Sequence, residues 1–201
     1  MTKDEVVADA REMLKEAELL KAEAGAVHAE LKSLWDTDKD PDRRHFPFTS
    51  TGLTMCAFGV IDRWATFWFP NERDRTKRMV TLLGQYLYPS HPKAALEIAV
   101  QLWRHKAVHN AKLEVITERA TGKKYRWWFH YEGSDEHQFK LRDPDADGVA
   151  CIGLALRCFL QDLCAGLQRA VRDLEAAPAT DSRIQKWEDT RKETYSYTAK
   201  F

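Results

Sequence analysis

Ala95-Leu96-Glu97-Ile98-Ala99-Val100-Gln101-Leu102-Trp103-Arg104-His105-Lys106-Ala107-Val108-His109 is where the text of this chain changes character. Apolar residues at 95, 98, 99, 102 and 103 recur at helical steps and point one face inward. The pattern stops at a polar hexapeptide, Arg104 to His109, followed by Asn110. Beyond it the period falls from 3.6 to 2. Leu113-Glu114-Val115-Ile116 and Tyr125-Arg126-Trp127-Trp128-Phe129-His130-Tyr131 read as strands joined by Thr121-Gly122-Lys123-Lys124. That is a β-hairpin signature, with a third short strand at 138–141. One period-2 interruption in otherwise helical text predicts a mainly α fold: a bundle of four to five core helices with a small β-hairpin inserted at about 111–142.

Upstream, Ser90-His91-Pro92 reads as the start of this fourth helix, with serine as cap and proline in the first turn. Residues 3–35 predict one long helix. Val6, Ala10, Met13, Ala17, Leu20, Ala24, Val27, Leu31 and Leu34 keep a 4-3 spacing, and Thr2 with Glu5 forms a capping box. Such a seam buries against another helix, in this chain or in a second copy. A loop rich in charge and proline follows, from Asp36 to Ser50. A second helix is expected from Thr49 or Ser50 to about Phe69, apolar nearly all round, with Asp62 as its one acidic residue. Asn71 or Asp74 opens a third helix reaching Leu87, with Arg73, Arg75, Lys77 and Arg78 on its early turns.

After the hairpin, Asp143-Pro144-Asp145-Ala146-Asp147-Gly148 opens like a calcium loop, but its twelfth position is Leu154 where a bidentate glutamate is needed. Asp145 or Asp147 is read instead as the cap of a last core helix at about 149–175. The organisation expected is therefore a packing helix and loop over 1–48, a helical domain with its hairpin over 49–175, and a polar tail over 176–201. That tail either docks as a short helix or stays mobile.

Composition narrows the class. At 44% hydrophobic and 31% charged the chain is globular rather than disordered. Basic and acidic residues balance at 31 each, so net charge points to no polyanion. Their distribution is uneven: residues 1–40 carry a net −5 and residues 101–126 a net +5, a local field able to attract phosphate. Solvated helix and hairpin faces explain the same pattern without a ligand. Cys56, Cys151, Cys158 and Cys164 form no CxxC pair and are expected as packed, reduced thiols. No apolar run approaches the ~20 residues of a membrane span, and a cytoplasmic protein is expected. Gly-rich phosphate loops and a GxSxG elbow are absent, which argues against nucleotide-binding and hydrolase classes.

The hexapeptide carries the chemistry. Arg104 is a permanent, forked cation suited to phosphate. His105 and His109 trade protons near neutral pH. Together they supply what phosphodiester cleavage without a metal requires. Five positions at about 100° leave Arg104 and His109 roughly 140° apart on a regular helix, so an irregular helix end or a two-fold axis has to converge them. Other readings compete. His109 suits a helix C-terminus, with Arg104 an ordinary surface residue. His105 and His109 at i, i+4 could form half of a metal site with His45 or Asp62, but no second pair matches them, and no metal or other cofactor is expected. Trp127 and Trp128 face opposite sides of their strand. With Lys123, Lys124 and Arg126 nearby, one could stack on a base, or both cover the core.

An arginine followed by a polar residue, three more and a histidine, closing the penultimate core helix, resembles the signature of the HEPN superfamily of helical bundles. The resemblance covers about residues 50–175. It implies metal-independent RNA cleavage at a composite site between two copies, so a homodimer. Arg104 would stabilise charge on the scissile phosphate and His109 would act as base or acid, with His105 and Asp62 as further site residues. Lys106, Asn110, Lys123, Lys124 and Arg126 are the RNA-binding candidates. A toxin or phage-defence setting, with a cognate antitoxin or regulatory protein, is the context implied. A non-catalytic module of the same fold that binds RNA or a protein partner is the other reading.

Overall fold

Thr2 and Glu5 start the first helix by capping each other. The Thr2 amide donates to Glu5 Oε2 at 2.7 Å and the Glu5 amide to Thr2 Oγ1 at 3.3 Å, which satisfies two donors that a helix start leaves free. The computed structural model describes residues 1–37, 46–104, 115–119, 121–130 and 138–195, of which 31–37, 46–51, 129 and 130 are described by backbone alone. Helix α1 spans Lys3–Thr37. Its seam is buried from Val6 through Ala10, Met13, Ala17 and Leu20 to Ala24, packed on the helices α2 (Phe46–Trp68) and α5 (Leu156–Ala176) of the same chain. Over that length the seam needs no second copy.

Helix α3, Arg75–Leu82, begins at Asp74, whose side chain accepts from the Lys77 amide at 3.1 Å. It continues as a π-helical turn, Leu83–Leu87. Helix α4 covers Lys93–Leu102. Here the expected cap is corrected: Pro92, not Ser90, holds the cap position, and no side chain caps the helix. The His91 amide is spent in a turn to the Tyr88 carbonyl at 3.1 Å, which sets the helix start later. Where α5 crosses the π turn, Gly166 permits close approach. A Cβ there would lie 2.7 Å from Leu87 Cδ1 and 3.1 Å from the Tyr86 carbonyl oxygen. Gly166→Val is expected to lower unfolding free energy by about 1–3 kcal/mol through overpacking, measurable as a lower urea midpoint at unchanged m-value.

The inserted segment is more than a hairpin. β1 (Ile116–Thr117) and β2 (Lys124–His130) pair antiparallel as expected. A third strand, β3 (Val149–Ala155), lies parallel to β2, with Lys124 opposite Val149 and His130 opposite Ala155. The expectation that the last core helix starts near 149 is therefore corrected: α5 begins at Leu156. A short apolar run such as 149–155 fits a buried strand or a helix equally by period. The preceding turn decides. Asp145 does not cap a helix; its Oδ1 accepts from the amides of Asp147 and Val149, both at 3.0 Å. Gly148 takes φ +72°, a conformation cheap for glycine. The chain doubles back, and residues 139–142 bond antiparallel along the free edge of β3, with Leu141 bridged to Ile152.

Of the expected tail, residues 182–195 dock as a helix. α6, Ser182–Tyr195, buries Ile184 and Trp187. Phe58 on α2 meets Trp103, Trp127 and Phe159 at ring distances of 5.8, 6.0 and 5.3 Å, so one aromatic node joins α4, β2 and α5. The architecture is mainly helical, six helices and a three-stranded sheet among the described residues. No described helix is long and apolar enough to cross a membrane. The four cysteines form no disulfide. Cys56, expected to be packed, is exposed because it lies on the outer side of α2.

Candidate functional site

The first turn of α3 gathers the two described residues that the sequence assigned to catalysis. Arg75 donates from Nε to Asp62 Oδ1 at 2.6 Å and from Nη2 to Asp62 Oδ2, a fork that occupies both carboxylate oxygens. The Asp62 side chain is only 14% exposed against 51% for Arg75, so the pair is anchored on the α2 side. The hydrogen bonds to Asp62 raise the Arg75 guanidinium above its ordinary value, against the opposing effect of burial. The same guanidinium carbon lies 5.8 Å from the ring centroid of Trp103, within cation–π range. Thr76, the next residue, accepts a hydrogen bond at 2.5 Å from Nη1 of Arg104. Arg104 is half-buried and has no carboxylate partner among the described residues.

Regular α geometry ends where the motif begins: α4 closes at Leu102 and widens to π geometry at Trp103 and Arg104. A departure of this kind is one of the two routes, beside a two-fold axis, by which Arg104 and His109 are expected to converge. His105, Lys106, His109 and Asn110 themselves lie outside the described residues, as do the start of the expected first strand at 113 and 114 and the tyrosine at 197. Among the described residues no three His, Cys, Asp or Glu side chains group as they would around a metal ion.

The hairpin cations sit elsewhere, on the sheet. Lys123 and Lys124 are exposed at the start of β2. Arg126 donates to Asp145 Oδ2 at 2.7 Å and to Cys151 Sγ at 3.3 Å. Because Lys124 is opposite Val149, the aspartates at 143, 145 and 147 stand at the same end of the sheet and offset these charges. The Asp145 carboxyl is held below the usual aspartate range, mainly by the Val149 amide and also by the Asp147 amide and Arg126. The two tryptophans divide as alternation requires. Trp127 faces inward against Phe58 and Phe139, and Trp128 is covered by the Arg142 guanidinium, 3.0 Å from its ring centroid.

Two polar features escaped the sequence reading. One is the pair Arg75 and Thr76, visible only as charged and polar text on an early helix turn. The other holds the opposite end of α4. Gln138 is 2% exposed; its Nε2 donates to the Tyr88 hydroxyl at 3.2 Å, its Oε1 accepts from the Ala155 amide at 2.8 Å, and its carbonyl accepts from His91 Nε2 at 3.0 Å. Burial pushes the Tyr88 phenol well above its ordinary value, and the neighbouring Asp162 carboxylate adds to this. A cleft of about 350 Å³ lies beside His91, Pro92, Phe139 and Leu141. Helix α4 is thus tied at its start through His91 and at its end through Arg104. Compared with protein-family models, with curated proteins and with solved structures, the chain matches none.

Proposed function

We propose that this chain is a metal-independent endoribonuclease of the HEPN type. The observation that carries the reading is the state of Arg104. It follows the last residue of α4, donates to a neutral hydroxyl, and has no carboxylate partner among the described residues, where Asp62 is bound to Arg75. A guanidinium held this way is prepared for a phosphodiester.

In the reaction, a base takes the proton of a ribose 2′-OH, and the 2′ oxygen attacks the adjacent phosphorus. The bond from phosphorus to the 5′ oxygen breaks, and that oxygen receives a proton. His109 serves one of these proton transfers, with His105 or a second copy of the motif for the other. Arg104 stabilises the charge that builds on the non-bridging oxygens.

The test is cleavage of single-stranded RNA in EDTA. Cutting should persist, with products ending in 2′,3′-cyclic phosphate and 5′-hydroxyl. A 2′-deoxy substrate should bind and stay intact, for want of the nucleophile. Binding of RNA with no cutting across varied substrates would replace this reading by the non-catalytic module, and a monomer in light scattering would remove the composite site.

A further inference from the structure

Two neighbours on one helix turn give Asp62 and Arg104 separate partners. Arg75 takes both oxygens of Asp62, and Thr76 takes one nitrogen of Arg104. The choice of partner matters physically. A carboxylate on Arg104 would cancel the charge that a phosphate needs to meet, and a phosphate would then have to displace it. A hydroxyl fixes the direction of the guanidinium and leaves its charge whole. Asp62 is the acid placed to do so: its side chain is mostly buried, and its partner Arg75 is the direct neighbour of Thr76, which holds Arg104. Burial makes an unpaired carboxylate costly, so Asp62 takes whichever cation is offered.

From this we infer that Arg75 and Thr76 are positioning residues of the site: Arg75 sequesters Asp62, and Thr76 aims Arg104, so that Arg104 meets RNA phosphate unpaired. The contact of Arg75 with Trp103 places the sequestering cation against the residue that precedes Arg104, which keeps both halves of the device in register. The substrate half of this inference rests on the ribonuclease reading; the charge-pairing half does not.

The experiment compares wild type with Arg75→Leu, Asp62→Asn/Arg75→Leu, Thr76→Val and Thr76→Ser. Two readouts are taken: cleavage of a single-stranded RNA oligonucleotide, resolved into kcat and KM, and the guanidinium NMR resonance of Arg104 in the protein alone. Arg75→Leu should release Asp62 onto Arg104, shift that resonance, and raise KM roughly 10- to 100-fold, the scale of one charged hydrogen bond. Asp62 takes no part in the proton transfers on this inference, so Asp62→Asn in the same chain should return both resonance and KM toward wild type. A merely structural Arg75, or one that itself grips phosphate, would show no such rescue. Thr76→Val should lower activity, and Thr76→Ser should restore it.

An Arg104 resonance unmoved by Arg75→Leu, or a double variant as impaired as the single one, overturns the inference. If wild type cuts no RNA, the ribonuclease reading falls, and the resonance in Arg75→Leu and in the double variant still decides the pairing.

Discussion

Trp187→Ala should cost about 3–5 kcal/mol of unfolding free energy, the range for emptying an aromatic site in a packed core. Trp187 is fully buried although it belongs to the polar tail. Its ring meets Phe67 at 4.6 Å and Trp68 at 5.8 Å, and its Nε1 donates to Asp9 Oδ2 at 2.7 Å. One side chain therefore ties α6 to both α2 and α1. Removal leaves a cavity among rings that cannot collapse without disturbing the Trp64–Trp68 and Trp68–Tyr86 contacts. For a chain of this size the loss corresponds to a Tm lower by roughly 6–20 °C. Trp187→Phe should cost clearly less, since it keeps most of the ring and loses the hydrogen bond; Asp9 is partly exposed and can turn to water. Thermal and urea unfolding of the three proteins check this. A Trp187→Ala loss within about 0.5 kcal/mol, the size of an ordinary surface change, would mean that α6 is not docked as described.

His109→Ala should lower RNA cleavage by about 10²- to 10⁴-fold, the usual contribution of a positioned acid or base, while leaving RNA affinity and Tm nearly unchanged. Arg104→Ala should lower both cleavage and affinity, by about 10²- to 10³-fold in kcat on the precedent of single charge-stabilising donors. The two profiles separate the roles: a proton carrier acts on kcat, a cation that already meets the ground-state phosphate acts on KM as well. Arg104→Lys should recover little, because a point charge does not reproduce a fork. Cleavage that survives His109→Ala would move the proton transfer to another group even if the reaction class stands.

What the sequence disclosed was what is local. The Thr2–Glu5 box, the α1 seam as far as Ala24, the Asp74 cap and the antiparallel pairing of β1 with β2 each depend on residues close in sequence, although β1 at 116–117 meets the expected strand at Ile116 alone among the described residues. The strand at 149–155 was misread because seven apolar residues carry no period. The deciding information was the turn at Asp145 and Gly148 that hands the chain to β3, together with the pairing of β3 to β2 far upstream. Docking of α6 was undecided because Trp187 and Ile184 are two apolar residues in polar text, too few to announce a buried face. In the site, Asp62 and Arg104 could be named from residue type and place. Their separation by Arg75 and Thr76 could not, since it depends on how α2, α3 and α4 cross. His109 lies outside the described residues, so the motif remains half legible in three dimensions.

The bond between Trp187 and Asp9 spans 178 positions of the chain, and that span has a meaning in time. A ribosome adding about 5–20 residues per second needs roughly 10–35 seconds to travel it. For most of that interval α1 exists without the residues of α5 and α6 that pack on it. Most of a helix's stability in a protein comes from packing of its apolar face, so the nascent α1 keeps part of its apolar stripe uncovered. The bond that joins α1 to α6 closes only after Trp187 has been added, so the two ends of this fold are joined late in synthesis.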